Sequence, residues 1–340
     1  PEPGELGDES ALSRLMELLP TLELSRTFRT GGHDLLGLIN ERFYDGAIES
    51  LPWAGTYLGH PSVAVEMVED AWGLPKPGAA EIESPDAEID KVLSLVAQHA
   101  RSRPNESLMV VTGNERHEAR LQQALVQQLG QNPSIADFIS TETDEPFVIA
   151  DLTHAMALSR DRVIFSVGYG RSKYSKNVDF GPLGREGGEQ LLAIALTRAR
   201  RALTVVTSFD AAQLDPDSVE HGAAQLREIL LEIATPQLAI EPGESDPLMT
   251  DLADRLAAFG LEVTLNYRGL PLVVANGGVC AAVLSDHEAS DDSLRHKLRV
   301  EPEMLRRLGW HTMRVHAFEL FTDPEAVAAR VAELVGVDAR

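Results

Sequence analysis

The stretch Leu108-Met109-Val110-Val111-Thr112-Gly113-Asn114 indicates the fold class of this chain, because a run of apolar residues ends directly in a turn. Three more apolar runs follow at residues 147–150, 162–168 and 202–207. Strands that are apolar on both faces are typical of parallel sheets that helices cover on both sides. We therefore predict an α/β fold, with a doubly wound parallel sheet in a domain that extends to about residue 235.

Helical periodicity and turn residues surround these strands. Apolar residues recur at helical spacing in residues 33–43, and a second helix is predicted for residues 86–101, where Ser84-Pro85 precedes two acidic residues. A third helical stretch extends to about Leu129. Residues 50–85 are rich in proline and glycine, which predicts a long loop with short strands.

A smaller domain is predicted to follow. Residues 236–247 are rich in proline, glycine and acidic residues, so we interpret them as a linker between residues 1–235 and residues 248–340. The pattern of the second part predicts the order αβββαβα, which is typical of a compact mixed domain. Its predicted helices cover 248–259, 294–308 and 324–334, and its strands lie near 262–266, 272–275, 279–284 and 312–316.

The composition of the 340 residues limits the class of protein. Hydrophobic residues make up 44% and charged residues 24%, as in ordinary globular proteins. The net charge of −23 argues against a surface that coats nucleic acid, so DNA contacts would need local basic patches. No apolar run approaches the roughly 20 residues that span a bilayer. The single Cys280 cannot form an internal disulfide, which favours a reducing cytoplasm, and the start at Pro1 suggests a fragment of a longer chain.

Three segments form a pattern that the strands alone do not explain. The first reads LSRTFR at residues 24–29 and is followed by LIN at residues 38–40. The second is DRVIFSVGY at residues 161–169. The third begins with Gly187-Gly188-Glu189 and continues as ALTRARR at residues 195–201.

In this order the segments resemble the fourth motif, the strand that follows the fifth motif, and the sixth motif of superfamily-one helicases, especially the Upf-type branch. The resemblance covers residues 20–210 and implies a RecA-like second motor domain. It implies catalytic roles for Arg29, which would reach the γ-phosphate, and Arg198, the arginine finger. Phosphoryl transfer leaves charge on the γ-phosphate oxygens, and a planar guanidinium stabilises it with several donors. The resemblance also implies nucleotide-binding positions for Gly188, Glu189 and Arg201.

The sequence departs from the family in two places. It has no Gly-x-x-x-x-Gly-Lys-Ser/Thr phosphate loop and no acidic Mg²⁺-binding pair after a strand, so the first motor lobe is absent from this chain. At the fifth motif, Met156-Ala157-Leu158-Ser159 replaces the family's Gln-Gly and acidic residue. We therefore expect ATP and Mg²⁺ only in a complete motor and no cofactor in this chain alone. The first lobe would come from the same longer polypeptide or from a partner subunit.

A basic loop, GRSKYSK at residues 170–176, follows the second segment. Its cationic residues, Arg171, Lys173 and Lys176, are predicted to bind DNA phosphates, with Tyr174 available to stack on a base. The alternative is an ordinary solvated turn.

Residues 248–335 resemble the small endonuclease-like domain, related to the very-short-patch repair nucleases, that follows the motor in some bacterial helicases. The matching pieces are LAAFGLEV at 256–263, LRHKLR at 294–299, LGW at 308–310, RVH at 314–316 and FTDP at 321–324. The resemblance implies a small restriction-endonuclease-like α/β domain.

The nuclease site of this domain is predicted to be degenerate. The family's two metal-binding carboxylates should fall near Pro271 and Leu284, neither of which can bind Mg²⁺. Pro271 also suits only an edge or irregular strand. Asp286 remains at the site without a second carboxylate, so we expect no metal there. A histidine site made of His287, His296 and His316 is left as an alternative.

Local positive charge recurs on the helix predicted for residues 294–308. Arg295, Lys297 and Arg299 alternate there, and we predict that they bind DNA, with a solvated helix face as the alternative. Together the patterns favour the C-terminal portion of an ATP-dependent DNA helicase or translocase, nucleoid-associated in the cytoplasm and without a membrane partner. The alternatives are a non-catalytic DNA- or protein-binding module and a metal-dependent endonuclease.

Overall fold

The structure is a computed structural model that describes residues 15–16, 18–22, 25–27, 32–68, 73–75, 82–171, 178–234, 246–286 and 294–337. Arg29, Lys173, Tyr174, Lys176 and His287 lie outside the described residues, as does most of the predicted linker.

Residues 32–234 form alternating strands and helices. Single 3₁₀ turns cover His154–Ala157, Gly181–Gly184, Ala211–Gln213 and Pro216–Ser218. The longer elements are α1 (His33–Tyr44), α2 (Ala54–Tyr57), β1 (Val63–Met67), β2 (Gly73–Pro75), β3 (Ile82–Pro85), α3 (Asp86–Ser102), β4 (Leu108–Thr112), α4 (Glu115–Leu129), α5 (Pro133–Ser140), β5 (Val148–Asp151), β6 (Arg160–Ser166), β7 (Tyr169–Gly170), α6 (Gly188–Thr197), β8 (Ala199–Thr207) and α7 (His221–Ala234).

A five-stranded parallel sheet lies at the centre of this part, with the strand order β1-β8-β6-β4-β5. The predicted α/β fold class with a parallel, helix-covered sheet is confirmed. The outer strand β1 falls in the region predicted as a long loop with short strands, and Val63 pairs there with Leu203. Its residues are only partly buried, and Glu66 interrupts the apolar pattern, so its sequence signal is weak.

Helices cover both faces of this sheet, as two-sided apolar strands require. Helices α1, α6 and α7 pack on one face, where Leu35, Leu196 and Leu226 are buried. Helices α3, α4 and α5 pack on the other face, where Val92, Leu121 and Ile135 are buried. The short strands β2, β3 and β7 form a separate antiparallel sheet beside the main one.

Residues 246–337 contain a second, four-stranded sheet with the order β12-β11-β10-β9. Its strands are β9 (Glu262–Tyr267), β10 (Leu270–Asn276), β11 (Val279–Ser285) and β12 (His311–Val315), of which only the β11–β12 pair is parallel. The helices are α8 (Pro247–Ala258), a π-helical turn (His296–Val300), α9 (Glu301–Arg307), α10 (Ala317–Thr322) and α11 (Pro324–Leu334).

Two helices of this small unit differ from the prediction. The helix predicted over residues 294–308 divides into the π-helical turn and α9, because Pro302 has no N–H to donate to the carbonyl of Leu298. Helix α10 was not predicted. His316 is its N-cap residue and forms a capping box with Glu319, and the helix is only six residues long.

Pro271 lies in a central strand and not at an edge, at a position that the pairing with both neighbouring strands omits. It is the second residue of β10, and the pairing of β10 with β11 begins one residue later, at Leu272 and Val283. At that position the missing N–H leaves the paired part of the ladder intact.

The small sheet is covered on one face by its own helices α8 and α11. Its other face packs against α9 and against residues 51–58 of the first part of the chain. Trp310 is buried there and donates from Nε1 to the Pro52 carbonyl at 2.7 Å. The Tyr57 hydroxyl lies 3.0 Å from Thr264 Oγ1, and Arg268 forms an ion pair with Asp34 of α1. The small unit thus packs directly against the first part of the chain.

None of the helices in the described part of the chain has the length and apolarity to cross a membrane.

Candidate functional site

Arg198 lies at the amino edge of the parallel sheet, directly before β8. Its guanidinium is nearly buried, with the residue 8% exposed. Nη1 donates to the Met156 carbonyl at 2.5 Å, and Nη2 donates to Thr197 Oγ1 at 2.8 Å. Met156 belongs to the loop that precedes β6, the position of the altered fifth motif. The structure therefore brings the predicted fifth- and sixth-motif positions into direct contact.

Helix α1 begins at the same edge. Asp34 in its first turn accepts hydrogen bonds from Ser62 Oγ and Thr56 Oγ1, both at 2.9 Å, and Ser62 directly precedes β1. The Arg268 guanidinium hydrogen-bonds to Asp34 as well, and together these donors hold the pKa of its carboxyl below the usual range even though burial opposes them. The residues that lead into α1 are those of the predicted fourth motif.

The neighbouring arginines are held in an ion-pair network at this edge. Arg200 pairs with Glu145 and Asp161, and Arg201 pairs with Glu106 and Asp161. The Arg200 hydrogen bond lowers the pKa of Glu145 to about 2. These contacts connect the starts of β4, β6 and β8. Arg201, predicted to bind nucleotide, thus has two acidic partners within the chain.

Gly188 and Glu189 are not brought to Arg198. They begin helix α6 and Arg198 follows its end, so roughly 15 Å of helix separates them. Gly188 is buried in a close contact, because a Cβ on it would lie 2.1 Å from the Leu183 carbonyl oxygen. Glu189 pairs with His221 at 3.0 Å. The described contacts of both residues fix α6 against its neighbours.

The opposite, carboxyl edge of the sheet contains a crevice of about 360 Å³. It is bounded by the loops after β4, β5 and β6, and Asn114, Asp151 and Tyr169 are among its lining residues. Strands β4 and β6 are neighbours, yet α4 covers one face of the sheet and α6 the other. The loops therefore separate here, and such a switch point is where open α/β sheets bind ligands.

A buried series of hydrogen bonds lies next to this crevice, among residues adjacent in sequence to those that line it. Arg120 Nη1 donates to Ser84 Oγ at 3.1 Å, and Ser84 Oγ lies 2.8 Å from His117 Nδ1. His117 Nε2 lies 2.7 Å from Ser166 Oγ, which donates to Glu88 Oε2 at 2.9 Å. Glu88 Oε2 also accepts from the Gly168 N–H at 2.8 Å.

The hydrogen bonds of Ser84 and Ser166, on either side of His117, determine the tautomer of its imidazole. Because Ser166 uses its hydroxyl proton on Glu88, His117 Nε2 must carry the proton that Ser166 accepts. Nδ1 is then the acceptor of the Ser84 hydroxyl proton. Burial lowers the pKa of His117 to about 3, and it raises the pKa of Glu88 to about 7 against the opposing hydrogen bonds.

The predicted DNA-binding residues fall in two places. Arg171 donates to Gln213 Oε1 at 2.8 Å and to the Gln213 carbonyl, which holds its side chain against the turn at Ala211–Gln213. Arg295 and Arg299 are exposed at the π-helical turn, and Lys297 between them is partly buried. The Lys297 carbonyl accepts from Arg314 at 2.7 Å, which fixes the backbone of this turn.

Asp286 follows β11 and meets His316, which follows β12. Asp286 Oδ2 lies 2.6 Å from His316 Nδ1, and Oδ1 accepts from the Ala317 N–H at 3.1 Å. The bond to His316 lowers the pKa of the Asp286 carboxyl. Leu284 is buried within β11, and the preceding strand offers Pro271 at the second nuclease position. His296 lies at the start of the π-helical turn.

Three side chains, of which Asp151 lines the crevice, could hold a metal ion and were missed by the sequence analysis. Glu118, Asp151 and His154 offer ligand atoms that all lie within 4.8 Å of one another. The available signal was positional: Asp151 ends a predicted strand, and the carboxyl ends of parallel strands converge on one edge. The pairing of Glu118 with Asp151 depends on how α4 packs, which the sequence pattern did not reveal.

No protein-family model matches this chain, and no curated protein matches it. Among solved structures, the C-terminal domain of a possible DNA helicase from Lactobacillus plantarum is similar, with 15% identity and a TM-score of 0.31. The match covers 58% of this chain and 92% of that chain. A TM-score this low does not establish a common fold.

Proposed function

We propose that this chain is the C-terminal portion of an ATP-dependent DNA helicase or translocase. Its first part would supply Arg198, and also Arg29, to an ATP site that a first motor lobe completes. The small unit would contribute DNA contacts without nuclease chemistry. ATP and Mg²⁺ would bind only when both lobes are present.

One observation carries the proposal: Arg198 and the loop before β6 contact each other at the amino edge of a parallel, helix-covered sheet. Hydrogen bonds to Met156 and Thr197 hold the guanidinium in one orientation. Preorganised donors at a site of developing charge need no reorganisation during the reaction. The start of α1 at the same edge is consistent with a second arginine acting from there.

A variant of the complete protein, first lobe included, tests this role. Arg198→Ala should lower ATP hydrolysis by about 10³-fold or more and leave nucleotide affinity largely intact, because an arginine finger acts on transition-state charge. Arg29→Ala should lower hydrolysis and also weaken nucleotide binding. Phosphate release and nucleotide titration give the two readouts.

The controls separate catalysis from folding. Arg255 is partly exposed on α8, in the small unit, so Arg255→Ala should hydrolyse ATP at the wild-type rate. Arg198→Lys retains a positive charge but not the planar fork, and should remain slow at an unchanged melting temperature. Normal turnover by Arg198→Ala would show that the finger assignment is wrong.

A second candidate function is a non-catalytic DNA- or protein-binding module. It is favoured by the burial of Arg198, whose Nη1 and Nη2 donate to Met156 and Thr197 within the chain. Under this alternative the complete protein binds its partner without DNA-stimulated hydrolysis. The wild-type protein in the assay above therefore distinguishes the two functions before any variant is made.

A further inference from the structure

Glu118, Asp151 and His154 come from three different elements of the described structure. Glu118 lies in the first turn of α4, Asp151 is the last residue of β5, and His154 begins the 3₁₀ turn that follows. Their arrangement is fixed by backbone contacts. Glu118 Oε2 accepts from the Asp151 N–H at 2.9 Å, and Asp151 Oδ1 accepts from the His154 N–H at 2.8 Å.

The distances among the ligand atoms fit a common ion. His154 Nδ1 lies 2.9 Å from Asp151 Oδ1 and 3.8 Å from Glu118 Oε2. Nitrogen and oxygen atoms that bind one transition-metal ion at about 2.1 Å lie roughly 3.0–3.4 Å apart. Small side-chain rotations would therefore place all three atoms in one coordination sphere.

The charge of this group is a separate observation. The Asp151 side chain is 7% exposed and that of Glu118 is 18% exposed. Within the described part of the chain, the only ion-pair partner of either carboxylate is His154. Gln122 and Thr153 donate hydrogen bonds to these carboxylates, but both donors are neutral. Two carboxylates held close together with little exposure to solvent are costly unless a cation neutralises their charge. Among the described residues, no lysine or arginine forms an ion pair with Glu118 or Asp151.

The position of the group leaves room for further ligands. Asp151 and Thr153 line the crevice at the carboxyl edge of the sheet, and the His154 side chain is 71% exposed. Three protein ligands beside an open cavity are typical of metal sites that keep a position for water or substrate. A single imidazole with two carboxylates suits Zn²⁺, Co²⁺ or Mn²⁺.

We propose that Glu118, Asp151 and His154 bind one divalent transition-metal ion at the crevice. His154 would coordinate through Nδ1 in place of its present contact with Asp151. The open positions of the ion would face the cavity. This site lies at the opposite edge of the sheet from Arg198, so it is independent of the proposed ATP site.

Titration of the untagged chain with Co²⁺ and Zn²⁺ tests the site. The wild-type chain should bind one Co²⁺ with the visible absorption of a coordinated ion, and calorimetry should give one Zn²⁺ per chain. His154→Ala and the isosteric Glu118→Gln should each weaken binding by about tenfold or more, while circular dichroism shows an unchanged fold.

His316→Ala is the matched control, because His316 also contacts one carboxylate but lies in the small unit. It should bind Co²⁺ and Zn²⁺ as the wild-type chain does. The proposal is wrong if the wild-type chain shows no saturable binding. It is equally wrong if His154→Ala binds like the wild type, or if His316→Ala removes the site.

Discussion

Glu88 and His117 have opposite pKa shifts within one buried chain of hydrogen bonds. The pKa of Glu88 is raised to about 7, so between pH 4.5 and 7 the folded protein holds a proton that the unfolded chain has released. The free energy of unfolding therefore falls as pH rises through this window. For His117, with a pKa of about 3, the unfolded chain binds the extra proton below about pH 6.5, so stability falls as pH decreases.

The variant Glu88→Gln should isolate the first of these effects. The amide can still accept from Ser166 and Gly168 but never ionises, so its stability relative to the wild type should rise between pH 4.5 and 7 and stay constant above. The gain should reach about 1–3 kcal/mol. Chemical unfolding across pH 4–9 measures it.

Glu66→Gln is the control for the loss of one carboxylate, since Glu66 is partly exposed and pairs with Lys91. Its free energy of unfolding should fall slightly through the loss of one surface ion pair, and it should not rise relative to the wild type between pH 4.5 and 7. A Glu88→Gln curve parallel to the wild-type curve at every pH would show that Glu88 is ionised in the folded protein as in the unfolded chain.

At the scale of elements, the close packing of α6 and α7 depends on the absence of a side chain at Gly188 and at Gly222. A Cβ on Gly188 would lie 2.1 Å from the Leu183 carbonyl oxygen, and one on Gly222 would lie 2.2 Å from the Gly188 oxygen. Backbone atoms cannot rotate away as a side chain can. Gly188→Ala should therefore lower the free energy of unfolding by about 1–3 kcal/mol.

Gly37 offers the opposite case in helix α1, where a new Cβ would meet nothing within 4 Å. Gly37→Ala should raise stability by about 0.5–1 kcal/mol, because alanine restricts the unfolded chain. Thermal unfolding of the two variants gives both values. Equal stability of Gly188→Ala and the wild type would leave Gly188 available for the nucleotide role that the resemblance implies.

The π-helical turn is the element on which DNA binding is predicted to depend. Reversing the charges of Arg295, Lys297 and Arg299 to glutamate should weaken DNA binding and lower the slope of log affinity against log salt by about 2–3, as expected for three lost phosphate contacts. Fluorescence anisotropy with single- and double-stranded DNA at several salt concentrations measures this slope.

Arg330 is on α11, across the small sheet from the π-helical turn, so Arg330→Glu is the control and should change affinity little. The same DNA should stay intact with Mg²⁺ or Mn²⁺, since Leu284 and Pro271 offer no metal ligands. Nicking that Asp286→Ala abolishes would show that a nuclease site survives. Binding that ignores salt and charge reversal would indicate a protein partner instead.

At the scale of the whole molecule, Trp310 connects the small unit to the first part of the chain. It is 1% exposed, packs near Tyr57 and Tyr267, and donates to the Pro52 carbonyl. Trp310→Ala should cost about 3–5 kcal/mol and separate the two units. Calorimetry should then show two unfolding transitions where the wild type shows one.

Trp310→Phe keeps most of the ring but loses the hydrogen bond, so it should cost less than the alanine variant. Phe318 is 77% exposed, and Phe318→Ala should leave the transition unchanged. A single transition in Trp310→Ala would mean that the Arg268–Asp34 ion pair and the Tyr57 contact suffice to keep the units together.

The sequence by itself determined the elements whose signal is local. The two-sided apolar runs predicted four strands of the parallel sheet, because a strand buried on both faces has no polar positions. Helical periodicity predicted α1, α3 and α11 to within about one residue at each end. The same local rules predicted β1 only as one of several short strands within a long loop, and they missed α10 and the π-helical turn. An edge strand, a six-residue helix and a proline-interrupted helix carry weak or mixed patterns.

Only the tertiary structure decided which side chains meet. Arg198 meets Met156, and Glu118 meets Asp151 and His154, because parallel strands gather residues distant in sequence at one edge of the sheet. Gly188 and Arg198, near each other in sequence, lie at opposite ends of a helix that is aligned with the sheet. Position along the chain does not specify the edge that a residue reaches. That depends on strand order and helix packing, which arise from burial over the whole molecule.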